Sequence, residues 1–198
     1  MTGPQKKKNI ADDKGCSDLI DQERLYRELD IKDDTIFLVM SCGRCDYALS
    51  VATHIGCQGR IFAFDMLETG IDRLIDEIIA GGITHIYPRV CDLCTLPLGN
   101  GTIDICLMAT VFHDLVQQGT DQILLSEIKR VLKPGGVLAV LEFKKISGHP
   151  GPPLNIRISP AELDETLRLY GFTPVKNREI EVGACNYLSL YHISNGLP

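Results

Sequence analysis

The chain has 198 residues, enough for one domain with its own core and no need of covalent staples. Twenty Lys plus Arg against 26 Asp plus Glu give a formal charge of −6, which excludes a broad phosphate-binding face as its main business. With 44% apolar and 23% charged residues the bulk is globular rather than disordered, and eight cysteines exceed what packing calls for.

Residues 1–16 read as a flexible polar leader and 17–198 as a single domain. Lys6, Lys7 and Lys8 form a solvated tail soon offset by Asp12 and Asp13, with no apolar stretch behind them to make a secretory signal. No apolar run reaches membrane-spanning length, so the expectation is a cytoplasmic protein whose cysteines are mostly thiols and whose partners are neither nucleic acid nor membrane.

Leu19, Ile20, Leu25, Tyr26 and Leu29 recur at helical spacing and predict an amphipathic helix ending before Asp33. Ile36–Met40 is a continuous, partly β-branched apolar run, the pattern of a parallel strand covered on both faces. A short loop, Ser41-Cys42-Gly43-Arg44-Cys45, leads to a helix carrying Ala48, Leu49, Val51, Ala52 and Ile55. The cycle repeats with a strand at Arg60–Phe64, a helix over about 69–80, and strands at Ile86–Val90 and Ile103–Ala109. A helix capped by Thr120 is stopped by Pro134-Gly135-Gly136, and Val137–Phe143 is the next strand. Ser159-Pro160-Ala161-Glu162 is a capping box opening a helix to about Tyr170. Two strand-like segments, Thr173–Glu181 and Asn186–Ile193, finish the chain as a hairpin.

Strands alternating with helices imply a doubly wound α/β fold, a mostly parallel seven-stranded sheet with its last strand antiparallel. Ligands on such sheets bind beyond the carboxyl ends of the strands, here after Met40, Phe64, Val90 and Ala109.

The run Glu127-Ile128-Lys129-Arg130-Val131-Leu132-Lys133-Pro134-Gly135-Gly136-Val137-Leu138 is similar to the helix, turn and fifth strand of the class I S-adenosylmethionine-dependent methyltransferases. The small one-domain type related to quinone-biosynthesis methyltransferases is the nearest in pattern, over roughly residues 20–193. The resemblance implies a Rossmann-like three-layer sandwich, S-adenosyl-L-methionine as cofactor and a small-molecule methyl acceptor. It also implies that Asp65, closing Arg60-Ile61-Phe62-Ala63-Phe64-Asp65-Met66, bonds the ribose hydroxyls, a task suited to a two-oxygen acceptor at a strand end. Asp92, in Cys91-Asp92-Leu93-Cys94, stands where the family accepts from the adenine amino group. Met66, Leu93 and Ala109 border the same cleft, and Ala109-Thr110-Val111-Phe112-His113-Asp114-Leu115 matches the loop near the methyl donor. The plainer roles for both acids are capping the following helix or turn.

The first loop departs from the pattern. The family carries Gly-x-Gly-x-Gly preceded by an acid, whereas this chain has Ser41, Gly43 and Cys45 at the glycine positions, with Cys42 between them, and Val39 in place of the acid. Glycine serves there because its backbone approaches a ligand closely. A lost charge-assisted contact to the methionine ammonium weakens binding by about 1.5–3 kcal/mol.

Methyl transfer is an in-line displacement, so the protein's tasks are alignment and exclusion of water. A base is needed only where the acceptor loses a proton, and His113 is the candidate, with Asp114 to orient it. Its plain alternative is a loop histidine bonded to a neighbouring carbonyl. Tyr26, Arg157 and Tyr187 stand where family topology puts acceptor-site residues. A second function stays open, in which the first-loop changes disable methyl transfer and Cys42, Cys45, Cys91 and Cys94 bind metal or sense redox state. Against a shared zinc, loops two strands apart start about 10 Å from each other, whereas thiolates on one zinc lie about 4 Å apart.

Overall fold

The computed structural model describes residues 20–40, 46–148, 150–175 and 180–194. Its elements run α1 (Gln22–Glu28), β1 (Ile36–Met40), α2 (Asp46–Val51), β2 (Arg60–Asp65), α3 (Glu68–Gly81), β3 (Ile86–Val90), β4 (Ile103–Ala109), α4 (Phe112–Gln118), α5 (Asp121–Val131), β5 (Leu132–Phe143), α6 (Pro160–Leu169), β6 (Phe172–Pro174), β7 (Ile180–Glu181) and β8 (Asn186–Ile193). They form one sheet in the order β3-β2-β1-β4-β5-β8-β6, with β7 also on β8. β1 to β5 are parallel, while β8 runs antiparallel to β5, and β6 and β7 antiparallel to β8.

The two faces are sorted by alternation along each strand. Phe37, Val39, Leu107, Ala139 and Leu141 pack under α1, α2 and α3, whereas Leu38, Met40, Met108, Leu138 and Val140 pack under α4, α5 and α6. Each of the larger buried side chains among them contributes about 1.5–3 kcal/mol. The result is the expected three-layer sandwich with its doubly wound sheet.

Several details differ from expectation. α5 ends at Val131, before Pro134, and pairing of β5 begins at Leu132, opposite Ile103. Pro134-Gly135-Gly136 therefore forms an irregularity inside the strand, since pairing resumes only with Ile105 opposite Val137. Gly136 is needed there: a Cβ would lie 3.0–3.1 Å from the carbonyls of Lys133, Ile103 and Asp104. Thr120 stands at the start of α5 without making a side-chain cap. The expected strand Thr173–Glu181 is two short pieces, β6 and β7, lying along different parts of β8.

Both sheet margins carry a proline. Ile61 N bonds His85 O and Cys91 N bonds Asp65 O, so the odd-numbered residues of β3 face β2 and Ile86, Pro88 and Val90 face outward. On the other side Ser194 N bonds Gly171 O and Val175 N bonds Leu190 O, which turns Pro174 of β6 outward in the same way. Each margin thus lacks a donor where a further strand would need one.

Candidate active site

The parallel order reverses at β1, which lies between β2 and β4. A crevice at such a reversal opens beyond the carboxyl ends of the strands, and the register brings those ends together. Met40 is level with Phe64 and Met108, Asp65 with Val90, and Ala109 with Leu141. Ser41, Cys42, Gly43 and Cys45, between β1 and α2, lie outside the described residues.

Asp65 closes β2 and is 4% exposed. One carboxylate oxygen accepts from Leu67 N at 2.8 Å, so it braces the turn into α3, although Leu67 is the residue at the helix cap. Asp65 O accepts from Cys91 N at 2.9 Å, which ties the start of the Asp92 loop to the end of β2. Asp92 is exposed and accepts from Cys94 N at 2.8 Å, capping its own turn. Asp92 thus fills the plain turn-capping role the sequence allowed, whereas Asp65 braces the entry to α3 without capping it, and both lie at the carboxyl edge. Met66 is 58% exposed on the same edge. Leu93 turns its side chain into the core beside Phe64, and Ala109, the small residue ending β4, is buried.

Beyond β4 the expected loop is a helix. Thr110 has φ +56°, a conformation that a β-branched residue adopts at a cost of about 1–3 kcal/mol, and its N–H bonds Leu141 O at 2.7 Å. This sharp turn launches α4, so His113 lies in a helical first turn and not in a loop. His113 is buried, and its Nδ1 lies 2.9 and 3.1 Å from the two carboxylate oxygens of Glu142. The same carboxylate accepts from the His113 backbone N–H at 3.2 Å. A carboxylate is an acceptor, so in the neutral ring Nδ1 carries the proton and Nε2 the lone pair.

Burial pulls the His113 imidazole down, but the hydrogen bond and charge of Glu142 push it up and prevail, leaving it above the usual value. Asp114 adds to that push, with a carboxylate oxygen 3.6 Å from Nε2, beyond hydrogen-bond reach. Glu142, not Asp114, is therefore the orienting residue. Sequence reasoning missed it, although a lone acid inside the apolar run Val140-Leu141-Glu142-Phe143 is a signal, since fully buried acids are rare unless paired.

The segment after β5 is fastened over this pair. Arg157, 5% exposed, donates to the carbonyls of Pro152, Lys144, Ile146 and Pro150 at 2.8–3.3 Å, and its guanidinium sits 5.7 Å from the Phe143 ring centre. Phe143 in turn meets His113 edge-on at 6.3 Å. The positions compared with acceptor residues thus serve the scaffold: Arg157 binds carbonyls, Tyr187 donates its hydroxyl to Ile158 O, and Tyr26 is buried in the core.

The alternative built on cysteine gathers no support. Among the described residues no three His, Cys, Asp or Glu side chains converge to hold a metal. Burial, aided by Asp92, raises both the Cys91 and Cys94 thiols above the usual value, opposite to the lowering that marks a reactive cysteine. Cys106 is core packing, as expected. Two cavities of about 310 and 350 Å³ lie at the opposite, amino edge around Lys133, where its ammonium holds Asp104 at 2.8 Å.

A doubly wound sheet reversing at β1, with an acid closing β2, a second acid beyond β3 and an antiparallel strand beside β5, is the arrangement that the resemblance to class I S-adenosylmethionine-dependent methyltransferases implies. The match of residues 37–136, half of the chain, to a family model described as a methyltransferase domain makes the chain a member of that family. It is 36% identical over 107 residues to the ubiquinone/menaquinone biosynthesis C-methyltransferase UbiE of Cellvibrio japonicus, covering 52% of this chain and 41% of that protein. The corresponding UbiE of Hydrogenovibrio crunogenus is 32% identical over 121 residues, 59% and 45% of the two chains. The matched segment thus spans less than half the length of these relatives. Among solved structures, a SAM-dependent methyltransferase from Aquifex aeolicus superposes with a TM-score of 0.83 at 26% identity over 92% of this chain and 94% of that one. The Burkholderia thailandensis 1,6-didemethyltoxoflavin-N1-methyltransferase, solved with bound 1,6-didemethyltoxoflavin and S-adenosylhomocysteine, shares the fold with a TM-score of 0.64 at 18% identity, over 91% and 76%. No helix of the described residues is long and apolar enough to cross a membrane.

Proposed function

We propose that residues 17–198 act as one catalytic unit that moves a methyl group from S-adenosylmethionine to a small molecule which gives up a proton. The observation carrying this reading is the buried His113–Glu142 pair set between the ends of β4 and β5. When bound, S-adenosylmethionine supplies a methyl group on a positively charged sulfur, open to displacement by an electron pair. The chemistry of the residues fits that cofactor: Asp65 offers acceptor oxygens to ribose hydroxyls, Asp92 to the adenine amino group, and Met66, Leu93 and Ala109 apolar or small surface between them. Ser41, Cys42, Gly43 and Cys45 complete the cradle on the sequence reading.

In this reading Nε2 of His113 takes the acceptor's proton while Glu142 holds Nδ1–H and stabilises the imidazolium that results. The acceptor's electron pair, freed by that proton transfer, is then available for the methyl carbon. The relatives named for C-methylation in ubiquinone/menaquinone biosynthesis make phenol- and enol-type acceptors the first class to test.

Calorimetric titration with S-adenosylhomocysteine tests the cofactor, and His113→Gln tests the base. The variant should keep its affinity for S-adenosylhomocysteine and lose about 10²–10⁴-fold in turnover on any acceptor found. Absence of heat at millimolar S-adenosylhomocysteine, or undiminished turnover by His113→Gln, would overturn the proposal.

A further inference from the structure

The segment between β3 and β4, residues 91–102, has no regular secondary structure, yet it carries Asp92 and Leu93. Fixing such a stretch costs about 1–2 kcal/mol of backbone entropy per residue, so something must hold it. Leu93 and Leu96 are buried pegs, and the polar work falls to two residues one turn apart on α5. Glu127 accepts from Leu96 N at 2.9 Å. Arg130 donates from Nη2 to Leu96 O at 3.0 Å, and from Nη1 to Leu98 O at 2.7 Å and Asn100 Oδ1 at 3.0 Å. Its Nε and Nη2 also grip Glu127 at 2.9 and 2.7 Å, locking the fork in place. The backbone closes the seam, with Gly101 N on Arg130 O and Thr102 N on Val131 O at 2.9 and 2.8 Å.

An exposed i,i+3 ion pair would contribute little, but every contact of this one is aimed at one loop. Arg130 uses its planar array of donors on three groups of that loop and on Glu127, an arrangement that a lysine ammonium cannot reproduce. The nearest grip, on Leu96, is four residues from Asp92 and directly follows the turn Asp92 caps, where Thr95 N bonds Asp92 O at 3.1 Å.

We propose that Glu127 and Arg130 are positioning residues: without touching the cofactor, they hold the 91–102 loop so that Asp92 reads the adenine amino group. The inference rests on the assignment of Asp92 in the proposed function. It gives the Glu127–Arg130 part of the helix-and-turn motif a task beyond ending a helix, namely tying α5 to base selectivity.

The test compares binding of S-adenosylhomocysteine with that of S-inosylhomocysteine, whose base carries a carbonyl in place of the amino donor. The intact chain should prefer the adenine compound, and Asp92→Ala should erase that preference. Arg130→Lys, which keeps the charge and loses the fork, should weaken S-adenosylhomocysteine by about tenfold and collapse the preference towards unity. Asn100→Ala, removing one arm at an exposed position, should shift the ratio the same way by a smaller factor, and decides the matter if Arg130→Lys does not fold. A purely structural pair would lower thermal stability and leave the ratio intact. Preference retained in the clamp variants but lost in Asp92→Ala overturns the clamp alone; preference retained in all three overturns the Asp92 assignment, and the clamp with it.

Discussion

Replacing Glu142 by glutamine interrogates the buried pair with little change of shape. The carboxylate receives His113 Nδ1 at 2.9 and 3.1 Å and the His113 backbone N–H at 3.2 Å, and both residues are buried. A hydrogen bond to a charged group contributes about 1.5–3 kcal/mol, so Glu142→Gln should lose about that much wherever His113 is protonated. The sign of the pH dependence is the sharper expectation. In the intact protein burial lowers His113, yet Glu142 outweighs it, and the folded state keeps its proton to higher pH than the unfolded chain. The stability so gained is complete below the unfolded value, about 6.5, and is lost as pH rises through the raised folded value. In the variant burial becomes the dominant influence, protonation opposes folding, and stability rises over the same interval. Urea unfolding of both proteins from about pH 5.5 to about 8.5 gives the difference directly, with the other titrating groups cancelling. A gap of about 1.5–3 kcal/mol at the acid end, narrowing towards the alkaline end, is expected. A gap that stays constant with pH, or widens, refutes the argument.

Asp65→Ala should weaken S-adenosylhomocysteine about ten- to a hundredfold through loss of charge-assisted bonds, read by calorimetry; an unchanged dissociation constant would remove Asp65 from the ribose site. Gly151→Ala should destabilise by about 1–3 kcal/mol, because φ is +118° and a Cβ would lie 2.6 Å from the Phe143 ring. Since Phe143 backs His113, turnover should fall in Gly151→Ala along with the melting temperature.

Much of this was legible in the sequence, for identifiable reasons. β1 and β4 have the expected bounds because a strand covered on both faces writes itself as a bounded apolar run; β3 has them too, although as a margin strand it leaves Tyr87, Arg89 and Val90 exposed. The capping box is present in full, Ser159 accepting from Glu162 N and Glu162 from Ser159 N. α4 was hidden because it starts at Val111 with no side-chain cap; its trace lay in Gly119, which ends the helix at φ +68°. Glu142 was hidden by its neighbours, reading as one more residue of a strand, and only the third dimension brings it to a histidine 29 positions earlier in the chain. The pull of Glu127 and Arg130 on a loop about thirty residues away was equally invisible, because a helix-ending motif accounts for the same letters.

Pro88 and Pro174, facing outward on the two margins of the sheet, bear on how this protein meets others of its kind. Strand-to-strand joining of two copies into a continuous sheet would forfeit a hydrogen bond at either rim, so such fibre-like growth is disfavoured at both ends. What the two prolines leave open to a second copy is contact through the helical layers on either face of the sheet.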